Sequence, residues 1–327
     1  MFKKLLAPLA LAAAFTAGSA SANDYILNTA STGGTYHPVG TAIATLSKIK
    51  LLPKEKFSLT AVNSAGSGAN VQALAADTAQ FAIVQGLFGS YAASGTGPVS
   101  EPQENMRSIT MLWQNVEQFI LSNDLVKDGT VSDLLAATGK SMALGKENSG
   151  TLGSNTVLLG GLGADIASFD MMHAGYGPSV DAMANGQVVG GGFPAGPPTS
   201  AITKLMSSNG DKFTLLNVTD EEAAKMDGGR KLWVPYTIAA GTYPGQDSDV
   251  QTIAQPNFLA VNASVDEEHV YMLTKTIYEN LPFLQAIHKA TSGMDVSKAM
   301  GGLPLPLHPG AMKYYNEVGL EIPENLM

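Results

Sequence analysis

The order of elements at the start of the chain constrains its fold most. A strand-like apolar run, a polar glycine-rich loop and a helix-like run follow one another twice within residues 25–76. The first unit joins Tyr25–Leu27 to Val39–Ile49 through Ser31-Thr32-Gly33-Gly34-Thr35-Tyr36-His37-Pro38. The second joins Phe57–Val62 to Val71–Ala76 through Asn63-Ser64-Ala65-Gly66-Ser67-Gly68-Ala69-Asn70. A buried strand at Phe81–Val84, ending at Gln85, completes the set. Such alternation predicts an open α/β sheet in which the carboxyl ends of the strands face one crevice, so Thr32–Tyr36, Ser67–Asn70 and Gln85 should converge there. Gly33 and Gly34 permit a tight turn, and the helix that follows begins with unpaired N–H groups suited to a carboxylate or phosphate. The neutral hydrogen-bonding side chains of these loops suit binding more than bond breaking.

A second α/β series follows. Ser141–Leu144 is strand-like, Lys146–Asn155 forms a loop and helix start, and Phe169–His173 and Val188–Phe193 are further strands around a helix that starts near Pro178. Thr219 with Glu222, and Ser264 with Glu267, have capping-box spacing. Val270, Leu273, Ile277 and Leu281 share one helix face and should pack on a core. Two such series imply two lobes with a small-molecule cleft between them, as in periplasmic binding proteins that close by hinge motion.

The amino terminus points to export. Lys3 and Lys4 precede an apolar run from Leu5 to Phe15, and Ala20-Ser21-Ala22 forms a signal-peptidase site, so the mature chain is expected to start at Asn23 in the periplasm. The chain has no cysteine, which excludes a lipid anchor on a Cys thiol, a disulfide framework and a thiol nucleophile. Losing Lys3 and Lys4 takes the formal charge from −9 to −11, a poor match for nucleic acid or an anionic membrane surface. Arg107 and Arg230 are the only arginines, so an anion would be held by helix starts and by hydroxyls such as those of Thr35, Ser149 and Thr151, each charge-assisted bond contributing about 1.5–3 kcal/mol. Tyr36 offers a ring and a hydroxyl, or packs on its own lobe. Phe193-Pro194-Ala195-Gly196-Pro197 is either a cleft wall or a strand end. The five histidines show no metal-ligand spacing, and His308, in a Pro-rich turn, suits a structural hydrogen bond.

Five ordered motifs, Gly33-Gly34-Thr35-Tyr36-His37-Pro38-Val39-Gly40, Phe81-Ala82-Ile83-Val84-Gln85, Ser149-Gly150-Thr151, Ala240-Gly241-Thr242-Tyr243-Pro244-Gly245 and Pro306-Leu307-His308-Pro309-Gly310-Ala311 with Tyr314-Tyr315, resemble those of the TAXI family, the extracytoplasmic solute receptors of one class of TRAP transporters. The resemblance implies a two-lobed α/β binding protein, with lobe 1 at 23–112 and 238–327 and lobe 2 at 113–237. It implies a monomeric receptor without enzymatic activity, cofactor or metal, which delivers a small organic anion, a glutamate-like amino acid or a dicarboxylate such as 2-oxoglutarate, to a TRAP membrane permease. By position, Gly34, Thr35, Tyr36, Ser67, Asn70, Gln85, Asn148, Ser149, Gly150, Thr151 and Phe193 would contact the ligand. His37 stands where a second tyrosine is common, Ala240 where a proline is common, and the loop before Asn70 lacks a frequent glutamate. Two competing readings are the receptor of an ATP-driven importer and a hydrolase using Ser149 or Ser67 with His37 or His173. No spacing in the sequence pairs those serines and histidines.

Overall fold

In the computed structural model, which describes residues 23–327, the apolar runs assemble into two sheets. The expected leader and cleavage site lie outside the described residues. The first stretch contains β1 (Asn23–Asn28), α1 (Tyr36–Lys50), α2 (Leu52–Glu55), β2 (Phe57–Val62), α3 (Ser67–Ala75), β3 (Phe81–Gln85), α4 (Gly86–Ser94) and β4 (Met106–Val116). A middle stretch contains β5 (Phe119–Ser122), β6 (Ser141–Ala143), α5 (Gly150–Gly161), β7 (Asp170–Met171), α6 (Tyr176–Ala184), β8 (Gly190–Gly192), α7 (Ser200–Asn209), β9 (Phe213–Leu215) and α8 (Asp220–Asp227). The chain then returns through β10 (Val234–Ile238), β11 (Val250–Asn262), α9 (Glu267–Glu279), α10 (Leu281–Ile287) and α11 (Pro309–Glu317).

The larger sheet has the order β10-β11-β3-β1-β2, with β4 also paired to β11. Within it β1 runs parallel to β2 and β3, and the returning β11 is antiparallel to β3, β4 and β10. Every residue of β3 is buried, as the unbroken apolar run predicts for a strand covered on both faces. Helices α1 and α9 cover this sheet with Val39, Ile43, Val270, Leu273 and Ile277. The smaller sheet has the order β7-β6-β8-β5-β9 and carries a core on each face, one around Phe193 and Ile202 and one around Phe119 and Leu158.

Two long strands join the lobes. Met106, Ile109 and Trp113 of β4 lie in the lobe 1 core, whereas Val116 packs in lobe 2. In β11, Val250 and Ala254 pack with Ile238 in lobe 2 and Phe258–Val261 pack in lobe 1. Two register shifts between these strands, at Asn257/Phe258 and Leu259/Ala260, add local twist on the lobe 1 side of the crossing.

Local signals read from sequence fare unevenly. Thr219 and Glu222 form the expected reciprocal capping box at α8. At α9 the cap is Asp266, which accepts from the N–H groups of Glu268 and His269, while Ser264 donates instead to Asn262 Oδ1. The carboxylate of Asp266 reaches two amide donors without help, so the box predicted from Ser264 and Glu267 does not form. His308 caps α11 by accepting from Gly310 N–H at 3.2 Å, the structural role expected of it.

Candidate ligand site between the lobes

Four helices start at one cleft. Its walls are Gly34, Thr35 and Tyr36 at the start of α1, Gly66 and Ser67 at α3, Ser149, Gly150 and Thr151 at α5, and Gly175 and Tyr176 at α6. Ser31, Gln85, Asn115, Lys146, Pro194 and Ala195 also line it. The first N–H groups of a helix have no partner within it, and α1, α3 and α6 have no side-chain cap either. None of the four carries an acidic residue in its first turn. Helices α8 and α9, away from the cleft, place Asp220, Glu221 and Glu222, and Glu267 and Glu268, in that position. The positive ends of α8 and α9 are therefore neutralised by their own acids, whereas those of the four helices that meet at the cleft are not. Lys146 is the one charged side chain among the lining residues, and it is exposed at the lip.

The lobes are in contact across both rims. On one side Thr35 Oγ1 donates to Gly196 O (3.0 Å) and accepts from Gly196 N–H (3.1 Å), and Ser200 Oγ donates to Gly33 O at 3.1 Å. A Cβ at Gly33 would sit 2.9 Å from Gly177 N, so only glycine allows this approach. On the other side Ala69 N–H donates to Asn148 O at 2.9 Å. Beneath the cleft Gln85 Nε2 donates to Gly150 O (3.0 Å) and Ser154 Oγ (2.9 Å). The space left, about 40 Å³ for the centres of water-sized groups, holds roughly three waters at 10–15 Å³ each. This is a closed cleft, sized for a small molecule.

Eight of the eleven residues expected at the site line this cleft: Gly34, Thr35, Tyr36, Ser67, Gln85, Ser149, Gly150 and Thr151. Several act indirectly. The Thr35 hydroxyl is occupied by Gly196, so it latches the lobes. Ser149 Oγ accepts from Leu152 N–H as the α5 cap, and the Thr151 hydroxyl meets the Tyr176 hydroxyl at 2.9 Å. Tyr36 donates to Asn257 Oδ1 at 2.5 Å and stacks edge-on against Trp113; burial raises its pKa.

Three expected residues lie elsewhere. Asn70 is fully buried behind the loop: its amide donates to Thr29 O and Ile83 O, each at 2.8 Å, and it accepts from Ser64. With every hydrogen-bonding group used by the fold, it has none for a ligand. Asn148 adopts φ 57° and is exposed, offering its carbonyl to the opposite rim. Phe193 is buried in the lobe 2 core one layer back, edge-on to Tyr176 with centroids 5.3 Å apart. Of its segment, Pro194 and Ala195 do form part of the cleft wall, and Phe193 itself does not.

Sequence reasoning missed Tyr176, Asn115 and Lys146. Tyr176 is buried, donates to Pro194 O at 2.7 Å, and faces Tyr36 from the other lobe. Its position just before Pro178, at a helix start after a strand, is a signal that repeats the Tyr36-His37-Pro38 pattern. Asn115 donates to Gln85 Oε1 at 3.2 Å, and its own Oδ1 is buried without a partner. No such signal marks Asn115, which sits within a long strand. The histidines proposed for a hydrolase are engaged elsewhere, His37 with Thr29 Oγ1 and His173 with Gly145 O. Among the described residues no group of His, Asp or Glu is placed to hold a metal ion, and no helix is long and apolar enough to cross a membrane.

Two α/β lobes joined by long strands, with helix starts converging on the cleft between them, define the class: this is the two-lobed fold of periplasmic solute-binding proteins. The NMT1-like family matches residues 27–319, and the chain belongs to it. Solved structures with the same fold include MatC from Rhodopseudomonas palustris with bound malate, at 14% identity over 90% of this chain and 96% of that one, with a TM-score of 0.56. PhnD1 from Prochlorococcus marinus in complex with methylphosphonate is 12% identical over 82% of this chain and 91% of that one, with a TM-score of 0.53. A binding-protein component of an ABC phosphonate transporter from Pseudomonas aeruginosa is 11% identical over 82% of this chain and 78% of that one, with a TM-score of 0.52.

Proposed function

We propose that the protein is a periplasmic receptor that captures a small organic anion by lobe closure and hands it to a membrane permease, without chemical turnover. The observation that carries this reading is the convergence of four helix starts, three of them uncapped and all without a first-turn acid, on a cleft whose one charged lining residue is Lys146. An anion there supplies the negative charge that α8 and α9 obtain from their own acids. Backbone N–H groups at Tyr36, Ser67, Gly150 and Tyr176 would hold one carboxylate, and Lys146 would meet a second at the lip. Glutamate-like amino acids and dicarboxylates such as 2-oxoglutarate carry the two carboxylates that this arrangement of charge would meet. In this reading the chain crosses between lobes near 114–117 and again near 254–257 in β11, since side-chain packing changes from one core to the other there.

Two partners are consistent with this receptor. The ordered TAXI-like motifs favour a TRAP permease, whereas the likeness of fold to a component of an ABC phosphonate transporter favours an ATP-driven importer. A neighbouring gene for a multi-span TRAP permease, against one for a nucleotide-binding subunit, separates them.

A thermal-shift screen of the mature protein against amino acids, dicarboxylates, 2-oxo acids and alkylphosphonates tests the ligand class, since a ligand at about 100 times its Kd adds about 2.7 kcal/mol of stability. No shift with any anion would overturn the reading, and a chemically altered ligand would favour an enzyme. Lys146→Ala is expected to weaken a dicarboxylate about two- to fivefold, because an exposed charge contributes about 0.5–1 kcal/mol, and to leave the matching monocarboxylate unaffected. Calorimetric titration of the pair reads this difference.

A further inference from the structure

Behind the cleft lies an acid that is not part of its lining. Glu117, at the β4–β5 crossing, is 1% exposed. Its Oε1 accepts from Trp233 Nε1 (2.9 Å) and Gln255 Nε2 (3.2 Å), and its Oε2 has no hydrogen-bond partner. Gln255 Nε2 also donates to Ser154 Oγ at 2.9 Å, the same oxygen that accepts from Gln85 at the cleft floor. Ser154 Oγ thus accepts from both Gln85 and Gln255. A continuous polar chain therefore runs from the cleft through Gln85, Ser154 and Gln255 to Glu117 and the crossing strands.

We propose that Glu117 is a protonation-linked positioning residue of the cleft: an anion held at the four helix starts draws one proton from solvent onto the Glu117 carboxylate, so the receptor binds anion and proton together. This rests on the cleft being an anion site. The physical reason is that two negative charges cannot share a desolvated region cheaply, and the carboxylate can shed its charge whereas the ligand keeps its own. Burial already pushes the Glu117 carboxyl up to about 7, against the smaller downward pull of Trp233, Gln255 and Ser154. No cation figures among the groups acting on it. The titratable groups that feel its charge are the Tyr36 and Tyr176 hydroxyls, both of which line the cleft from opposite lobes and both raised far above the range where they would titrate with it. Glu117 is therefore the group that changes charge near neutral pH at this site.

The test combines infrared difference spectroscopy with calorimetry, using 2-oxoglutarate as the probe. In ligand-free protein the protonated-carboxyl band lost in Glu117→Gln should titrate near neutral pH. Adding 2-oxoglutarate at pH 7.5 should increase that band, and titrations in two buffers of different ionisation heat should show proton uptake on binding. Above the midpoint the Kd should rise by up to roughly tenfold per pH unit, and Glu117→Gln should flatten that profile. Ser154→Ala, which removes the oxygen linking Gln85 to Gln255 while keeping the Glu117 carboxyl, should reduce the slope. A ligand-free midpoint in the ordinary carboxylate range, or binding with no proton uptake and the same profile in both variants, overturns the proposal. If 2-oxoglutarate produces no heat, that counts against the ligand class, and the ligand-free titration alone then supports or overturns the role of Glu117.

Discussion

Gly150→Val is expected to abolish ligand binding by more than 100-fold while leaving the protein folded. Gly150 opens α5 on lobe 2, and a Cβ there would lie 2.6 Å from Gln85 Oε1 and 2.8 Å from Ser67 Oγ, both on lobe 1. Valine adds two methyl groups beyond that Cβ, so the closed arrangement cannot form, and the bonds from Gln85 to Gly150 O and Ser154 are lost with it. The overlap is between lobes and not within one, so opening relieves it. Losing closure removes the contacts of one lobe from the ligand, which is worth about 3 kcal/mol or more. Calorimetry should find no binding, scattering should find the larger radius of gyration with and without ligand, and the melting temperature should stay within a few degrees of the parent. Tight binding by this variant would show that the ligand is held without closure of the lobes at Gly150.

Asn70→Ala should do the opposite, costing stability first. Its amide is the donor to Thr29 O and Ile83 O, and its oxygen accepts from Ser64 in a region with no solvent access. Truncation leaves two buried carbonyls without that donor, at about 1–3 kcal/mol each, so a loss of about 2–6 kcal/mol is expected in urea unfolding. An unchanged denaturation midpoint with weakened binding would restore Asn70 to the list of ligand contacts.

These two residues show how far sequence reading reached. Both stand in glycine-rich loops at strand ends, and both were expected to meet a ligand. Gly150 does line the cleft, because a helix start at the end of a strand in a parallel sheet points there wherever the chain is wound this way. For Asn70 the backbone position was legible but the side chain's direction was not. The rotamer that turns it inward answers to the carbonyls of Thr29 and Ile83, 41 and 13 residues distant. Thr35 repeats the lesson, since its hydroxyl is taken by Gly196, 161 residues away in the other lobe.

What the sequence determined by itself is the local alphabet of the fold: the alternation of strand, glycine-rich loop and helix, the apolar faces of α1 and α9, and the neutral first turns of the cleft helices against the acidic ones of α8 and α9. All follow from interactions within a few residues, where backbone sterics and periodicity are enough. Tertiary structure alone decided which polar atoms remain free. It brought Tyr176, Asn115 and Lys146 to the cleft, withdrew Asn70 and Phe193 from it, and buried Glu117 beneath it. A donor is available to a ligand only if no distant partner has claimed it, and that balance is settled by long-range packing that no local pattern encodes.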